Sequence, residues 1–298
     1  MLKKTFIILT SLSIALAAFW YTFIALKQEP IAQQPLLEAY QYQSDFDINF
    51  KTQQLDDRNY QFSYNSYDGD VVKGQISYPE KIADNYPVLI GVSAMGRGYA
   101  RWWADSFKGR PTLTQVHKIA KLASSKGYIV IAIDARFHST RKDPNLTLRS
   151  IWNDLHFFGN KTPYESMIKD TVIDHRVLLD WMERQKKFKA NSITVAGYSM
   201  GGQISLLLGS IDSRIDKIIS IVPPYIDDKI ALVAPKNVVS LLMDKPVHLI
   251  FARDDENASV EDNDYLYSLI TSKNKSRIGF DGGHILPENY TEKLKDLL

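Results

Sequence analysis

Ser199 stands between Gly197 and Gly201 in VAGYSMGGQ (195–203), a G-x-S-x-G pattern with a strand-like run before it and a helix-like run after it. A serine hydroxyl is a poor nucleophile unless a base takes its proton, and the base works only when a third group holds its tautomer. Six histidines are available. His117, His156 and His175 fall in helix-like or inserted segments and His248 falls inside a strand-like run, which are packing or surface positions. His284 differs: GFDGGHILP (279–287) puts it in a glycine-rich loop directly after the last strand-like run. Gly282 and Gly283 free that loop to bring an imidazole over the end of a sheet. Asp254 and Asp255, in LIFARDDENAS (249–259), follow the preceding strand-like run and are the candidate acids. Serine, imidazole and carboxylate together are the set for acyl transfer through a covalent intermediate. Each piece also has a structural use. Ser199 can cap a helix after a tight turn, and the aspartates can form a capping turn before Ser259.

The elements that must position these residues are legible as alternating runs. YQFSYNSY (60–67) and VVKGQISYP (71–79) are β-rich and flank DGD, a hairpin signal. PVLIGVSA (87–94), YIVIAID (128–134), SITVAG (192–197), IDKIISIV (215–222), PVHLIFA (246–252) and SRIGF (276–280) read as further strands, several of them apolar enough to be buried on both faces. Helical spacing is expected over 112–127, 164–185 and 200–210, with further helices at 229–243 and 259–272 and a closing one in ENYTEKLKDLL. An initial antiparallel hairpin followed by alternating strands and helices predicts an α/β fold with a mostly parallel, eight-stranded sheet flanked by helices. Ligands of such sheets sit at the carboxyl ends of the strands, where Ser199, the aspartates and His284 all fall.

Charge and composition remove some classes of function. The chain has 36 Lys+Arg against 34 Asp+Glu, and Lys3 and Lys4 account for the excess. The remainder is neutral and carries no electrostatic footprint for nucleic acid. With no cysteine, disulfides, thiolate metal sites and a cysteine nucleophile are excluded.

The leader MLKKTFIILTSLSIALAAFWYTFIAL opens with those two lysines and is uncharged over 5–26, long enough to cross a bilayer. ALA at 15–17 is a candidate cleavage site, but the apolar run continues through Phe19, Trp20, Tyr21, Phe23 and Ile24, so an uncleaved membrane helix is expected. Lys3 and Lys4 would stay cytoplasmic, leaving the rest outside the cytoplasmic membrane, or secreted if the leader is cleaved. Residues 27–58, with KQEPIAQQP, read as a polar linker with room for one short helix. The expected organisation is a transmembrane anchor or signal peptide over 1–26, a linker over 27–58 and a catalytic domain over 59–298.

From about residue 60 onward the chain resembles the α/β-hydrolases, nearest to the single-domain esterases and dienelactone-hydrolase-like members. GYSMGG is similar to the family's nucleophile elbow, FARDDENA to its strand-end acid loop and GGHILP to its histidine loop. The order serine, aspartate, histidine is the family's order. Aligned on the acid loop, Asp255 rather than Asp254 falls on the family's acid. GYIVIAIDARFHSTR resembles its fourth strand and following turn, with Asp134 and Arg136 structural and His138, a candidate support for the site, expected to be structural as well. One departure stands out. The family commonly has His-Gly after its third strand, where a backbone amide completes the oxyanion hole; here the run is GVSAMGRG. The resemblance carries that role to the amide of Met95, with Met200, the residue after the serine, supplying the second.

The resemblance implies a serine hydrolase acting on small-molecule carboxylic esters through an acyl-enzyme, with no metal or organic cofactor. Tyr99, Trp102, Trp103 and Phe107 in one loop and Trp152, Phe157 and Phe158 in another could line an acyl pocket or pack the loops down. Only a short helix fits between the strands ending at 222 and starting at 246, which argues against a large lid and for a small or medium acyl group. A serine peptidase of the prolyl-oligopeptidase or aminopeptidase kind, and an inactive hydrolase-fold binding module, are the alternatives. The sequence is silent on oligomeric state.

Overall fold

Strands that are apolar at every position need cover on both faces, and the centre of this fold is built from them. The computed structural model describes residues 2–298, the side chains of 2–4, 8 and 189–191 aside. Lys3 and Lys4, on which the sidedness expectation rests, lie among those excluded side chains. The strands are β1 (Lys51–Gln54), β2 (Asn59–Asn65), β3 (Val71–Ser77), β4 (Tyr86–Val92), β5 (Ser106–Phe107), β6 (Arg110–Pro111), β7 (Ile129–Ile133), β8 (Phe188–Tyr198), β9 (Lys217–Ile221), β10 (Val247–Ala252) and β11 (Lys275–Phe280). The helices are α1 (Leu2–Phe23), α2 (Gln33–Glu38), α3 (Val116–Ser125), α4 (Leu148–Phe157), α5 (Thr162–Glu183), α6 (Met200–Ile211) and α7 (Val260–Leu269).

Nine strands form one sheet in the order β1-β2-β3-β7-β4-β8-β9-β10-β11, and β5 and β6 make a separate ribbon. Pairing is antiparallel from β1 to β7 and parallel from β7 to β11. Period-two alternation divides the apolar residues between two faces. Val88, Ile90 and Val92 of β4 join Leu178 of α5 and Ile204 of α6 in one core, while Leu89 joins Ile119 of α3 in the other.

Three expectations are corrected. β1, within 27–58, adds a ninth strand to the expected eight, and Leu36 and Tyr40 of the same segment are fully buried in the main core. The Tyr40 hydroxyl donates to the Leu232 carbonyl at 3.0 Å, and the Phe50 ring stacks on Trp181 at 3.6 Å. A few large apolar side chains, spaced among polar ones, fasten this segment where its average composition suggested solvent.

The segment 229–243 is not one helix but three short 3₁₀ turns, Asp228–Val233, Pro235–Asn237 and Val239–Leu241. Pro235 lacks an N–H and disfavours helical geometry at Ala234, whose backbone is extended (φ −84°, ψ 114°). The closing segment likewise forms a 3₁₀ turn, Glu288–Leu294.

If residues 27–58 are part of the folded unit, Leu36→Ala will lower stability by about 2–5 kcal/mol, the usual cost of emptying a buried leucine site. Urea unfolding followed by circular dichroism checks this; an unchanged midpoint would return the segment to the status of a spacer.

Candidate active site

The β8–α6 junction sets everything else. Ser199 is the single residue between strand and helix, with φ 58° and ψ −119°, a region costly for any residue with a Cβ. Hydrogen bonds hold it there: its N–H donates to the Ile221 carbonyl of β9 at 2.8 Å, and its carbonyl accepts from Gln203 N–H at 3.1 Å. The two flanking glycines permit the approach of strand and helix. A Cβ on Gly197 would lie 2.0 Å from the Gly201 carbonyl oxygen, and one on Gly201 would lie 2.2 Å from the Val92 carbonyl oxygen. Ser199 occupies the N-cap position of α6, yet its side chain makes no cap bond. Its Oγ lies 2.7 Å from His284 Nε2 instead.

His284 Nδ1 lies 2.9 and 3.0 Å from the two Asp255 carboxylate oxygens. A carboxylate at Nδ1 keeps the proton there, so Nε2 offers its lone pair to the serine hydroxyl. The Asp255 carboxylate is 1% exposed and His284 14%. Asp255 Oδ1 also accepts the Asn257 N–H at 2.9 Å. Asp254 is not the partner; its N–H donates to the Gly282 carbonyl at 3.0 Å. Neither aspartate caps α7, whose N-cap is Ser259 in a reciprocal box with Asp262.

Two further groups brace the histidine loop. Glu256 accepts the His284 N–H at 3.1 Å. The Tyr198 hydroxyl donates to the His284 carbonyl at 2.8 Å and accepts from Leu286 N–H at 2.9 Å. Burial pushes the Tyr198 phenol up to about 12. Its ring also meets the imidazole edge-on, with centroids 6.2 Å apart. Sequence reasoning passed over both residues. The signal for Tyr198 was its place inside the G-x-S-x-G pattern, which guarantees nearness to the serine but names no partner.

Met200 is the first residue of α6, so its amide is one of the first-turn donors that no helical carbonyl accepts. Met95 lies on the loop after β4, where Arg97 N–H donates to the Ala94 carbonyl at 3.0 Å to form a turn around it. Among the described residues no protein acceptor takes the Met95 N–H. Asp134 fastens that loop: Oδ1 accepts Tyr99 N–H at 2.9 Å, and Oδ2 accepts the Thr140 hydroxyl at 2.7 Å. Arg136 is structural, bonded to buried Asp174 and to Asp68. His138 is fully buried with Nδ1 against the Arg136 carbonyl at 2.7 Å, inside this framework rather than in the serine–histidine–aspartate set.

A family model described as the alpha/beta hydrolase fold matches residues 108–246, which include Ser199 and Met200 but end before Asp255 and His284. Acetyl xylan esterase 1 from Thermoanaerobacterium sp. JW/SL YS485 superimposes with a TM-score of 0.69 at 15% identity, over 92% of this chain and 95% of that one. The chain has the α/β-hydrolase fold. An esterase from Pyrococcus furiosus superimposes with a TM-score of 0.58 at 15% identity, over 92% of this chain and 96% of that one. A putative dipeptidyl aminopeptidase IV from Bacteroides ovatus gives a TM-score of 0.57 at 14% identity, with 80% of this chain covering 34% of that one. No curated protein matches by sequence.

In this α/β-hydrolase fold, Ser199 opens into a cavity of about 710 Å³. Met95, Met200, Trp152, Tyr225 and Ile230 line it, together with Trp20 and Leu26 from the leader. The two aromatic loops therefore divide. Trp102 is fully buried in the second core, and Trp103 packs beside it. Trp152 lies on the cavity wall, tilted at 51° against His156 with ring centroids 4.1 Å apart. His248 remains in its strand, bonded to Ser276 Oγ at 2.7 Å, with burial lowering its pKa to about 4.

The strain at position 199 can be measured. Ser199→Gly removes the Cβ from a positive-φ turn and should raise stability by roughly 1 kcal/mol. A higher thermal midpoint for Ser199→Gly than for both Ser199→Ala and wild type is expected; equal midpoints for all three would mean the turn stores no strain.

Proposed function

We propose that this chain is a serine hydrolase of carboxylic esters with small or medium acyl groups. The observation that carries the reading is the hydrogen-bonded series Ser199 Oγ, His284 Nε2, His284 Nδ1 and Asp255, with its serine open to the cavity. His284 accepts the Ser199 proton as Oγ attacks the ester carbonyl carbon. The amides of Met200 and Met95 receive the oxyanion, where charge develops. The acyl C–O bond breaks, and His284 returns the proton to the departing alcohol. Water, deprotonated by the same histidine, then splits the acyl-enzyme into the acid and free Ser199. Asp255 holds the imidazole tautomer and stabilises its charged form. The scheme calls on no metal or organic cofactor.

The names of similar structures, acetyl xylan esterases among them, support an ester as the substrate class. The absence of a long insert between β9 and β10 supports an acyl group of modest size. The exposed apolar stretch Thr5–Phe23 of α1 supports residues 1–26 as a membrane anchor, and Lys3 and Lys4 ahead of it support a catalytic unit on the extracytoplasmic side.

Fluorophosphonate labelling and p-nitrophenyl ester turnover test this reading. Wild type should label; Ser199→Ala and His284→Ala should not, and should lose on the order of 10⁶ in turnover. Asp255→Asn should cost roughly 10⁴ while Asp254→Asn stays near wild type. A folded wild type that neither labels nor turns over would refute the hydrolase, and peptide amides cleaved faster than esters would reassign it as a peptidase.

A further inference from the structure

The leader helix meets the catalytic unit at the rim of the Ser199 cavity. Trp20 Nε1 donates to the carbonyl of Phe157, the last residue of α4, at 2.6 Å. The Ile24 carbonyl fills the space that a side chain at Gly159 would need, since a Cβ there would lie 1.9 Å from it. Lys161 pairs with Glu29 at 2.7 Å, and the Glu29 N–H donates to the Asp228 carbonyl at 3.0 Å. Gln28 Nε2 donates to Asp227 at 2.7 Å. Residues 20–29 are thus fastened to both the α4–α5 connection and the turn at 227–228. Trp20, Ala25 and Leu26 complete a wall of the cavity that holds Ser199.

The same residues mark a level. Before Trp20 the helix stands clear of the catalytic unit, with Leu12, Leu16 and Phe19 more than half exposed. Its far end carries Trp20 and Tyr21 followed by Lys27, whose ammonium sits 3.9 Å above the Tyr21 ring. Amphipathic aromatics followed by a cation are the sequence of groups found where hydrocarbon gives way to lipid headgroups. Because Phe157 binds Trp20, the end of α4 lies at that level too. It exposes Phe157 and Phe158 at 60% and 68%, beside Trp152 at 47%. A folded surface seldom displays such a cluster to water.

We infer that the cavity opens at the membrane surface and that its substrate is an amphiphilic ester resident in the bilayer. The ester group reaches Ser199 past Trp20 and the α4 aromatics while its apolar part remains in lipid. This rests on the ester-hydrolase reading of the same site, and its chemistry is the hydrolysis given above.

The full chain reconstituted in phosphatidylcholine vesicles tests it with two substrates, hexadecyl butyrate in the bilayer and p-nitrophenyl butyrate in water. Phe157→Ser/Phe158→Ser, which alters no side chain lining the cavity or belonging to the triad and keeps the Phe157 carbonyl that Trp20 binds, should lose about tenfold on the bilayer ester and keep its rate on the soluble one. Equal rates for variant and wild type on both substrates, or a wild type active on the soluble ester alone, would overturn the inference and leave the hydrolase reading standing. A wild type inactive on both would remove the hydrolase reading itself.

A parallel loss on both substrates would signal misfolding, and a spin label then decides. The chain has no cysteine, so a nitroxide can be placed singly at Phe158→Cys or at Ile82→Cys, the latter exposed far along the chain from the leader. The label at 158 should collide with oxygen and be shielded from an aqueous nickel chelate, while that at 82 meets the chelate freely. Equal chelate access at the two positions would overturn the inference.

Discussion

The contact between the backbones of β4, β8 and α6 is the constraint on which the site depends. Gly197 and Gly201 leave no room for a methyl group between the Val92 carbonyl, the strand and the first turn of the helix. The chain can pass from β8 to α6 in one residue only through that gap, and the residue must take a positive φ. The geometry lifts a serine side chain out of its ordinary capping bond and leaves Oγ free to meet an imidazole. It also leaves the unpaired amides of the helix start next to Ser199. Strain at one residue is tolerated because the strand, the helix and β9 are held by their own burial, which a one-residue relaxation would disrupt.

A buried carboxylate needs partners, and the acid loop supplies them. Asp255 is almost wholly desolvated, yet the imidazole N–H and the Asn257 amide both donate to it. The histidine loop in turn has little apolar weight of its own and is held by polar bonds, from its amide to Glu256 and from its carbonyl and Leu286 amide to Tyr198. Tyr198 is the residue that makes elbow and histidine loop one object. It sits beside the serine in the chain and bonds the histidine across the site, so a shift in either is felt by both.

The amino-terminal segment changes the meaning of the cavity. Leu36, Tyr40 and β1 make residues 27–58 part of the fold, and the stretch from Trp20 to Glu29 makes the end of the leader part of the pocket. In the proposed reading, a helix that would otherwise only tether the molecule also sets the direction from which a substrate arrives. In the proposed arrangement the anchor, the exposed aromatics of α4 and the serine share one side of the molecule.

What the sequence by itself determined was local and periodic. The apolar runs at 129–133 and 247–252 could only be buried strands, and the G-x-S-x-G turn between strand and helix could be read as an elbow without any coordinates. His284 was separable from five other histidines because it alone follows a strand in a glycine-rich loop. Residue types and chain order were enough there, because turn geometry and alternation are properties of neighbours in sequence. The tertiary structure alone decided which long-range partners meet. It brought Asp255 rather than Asp254 to the imidazole, where local residues had left the two open and only a family resemblance had chosen. It sent Trp102 to the second core and Trp152 to the cavity, though both stood in aromatic loops. It folded a glutamine-rich stretch onto the sheet and broke an apolar segment at Pro235 into turns. It joined Trp20 to Phe157 across 137 positions of chain. None of these follows from spacing, because each depends on which surfaces remain uncovered once the sheet has formed.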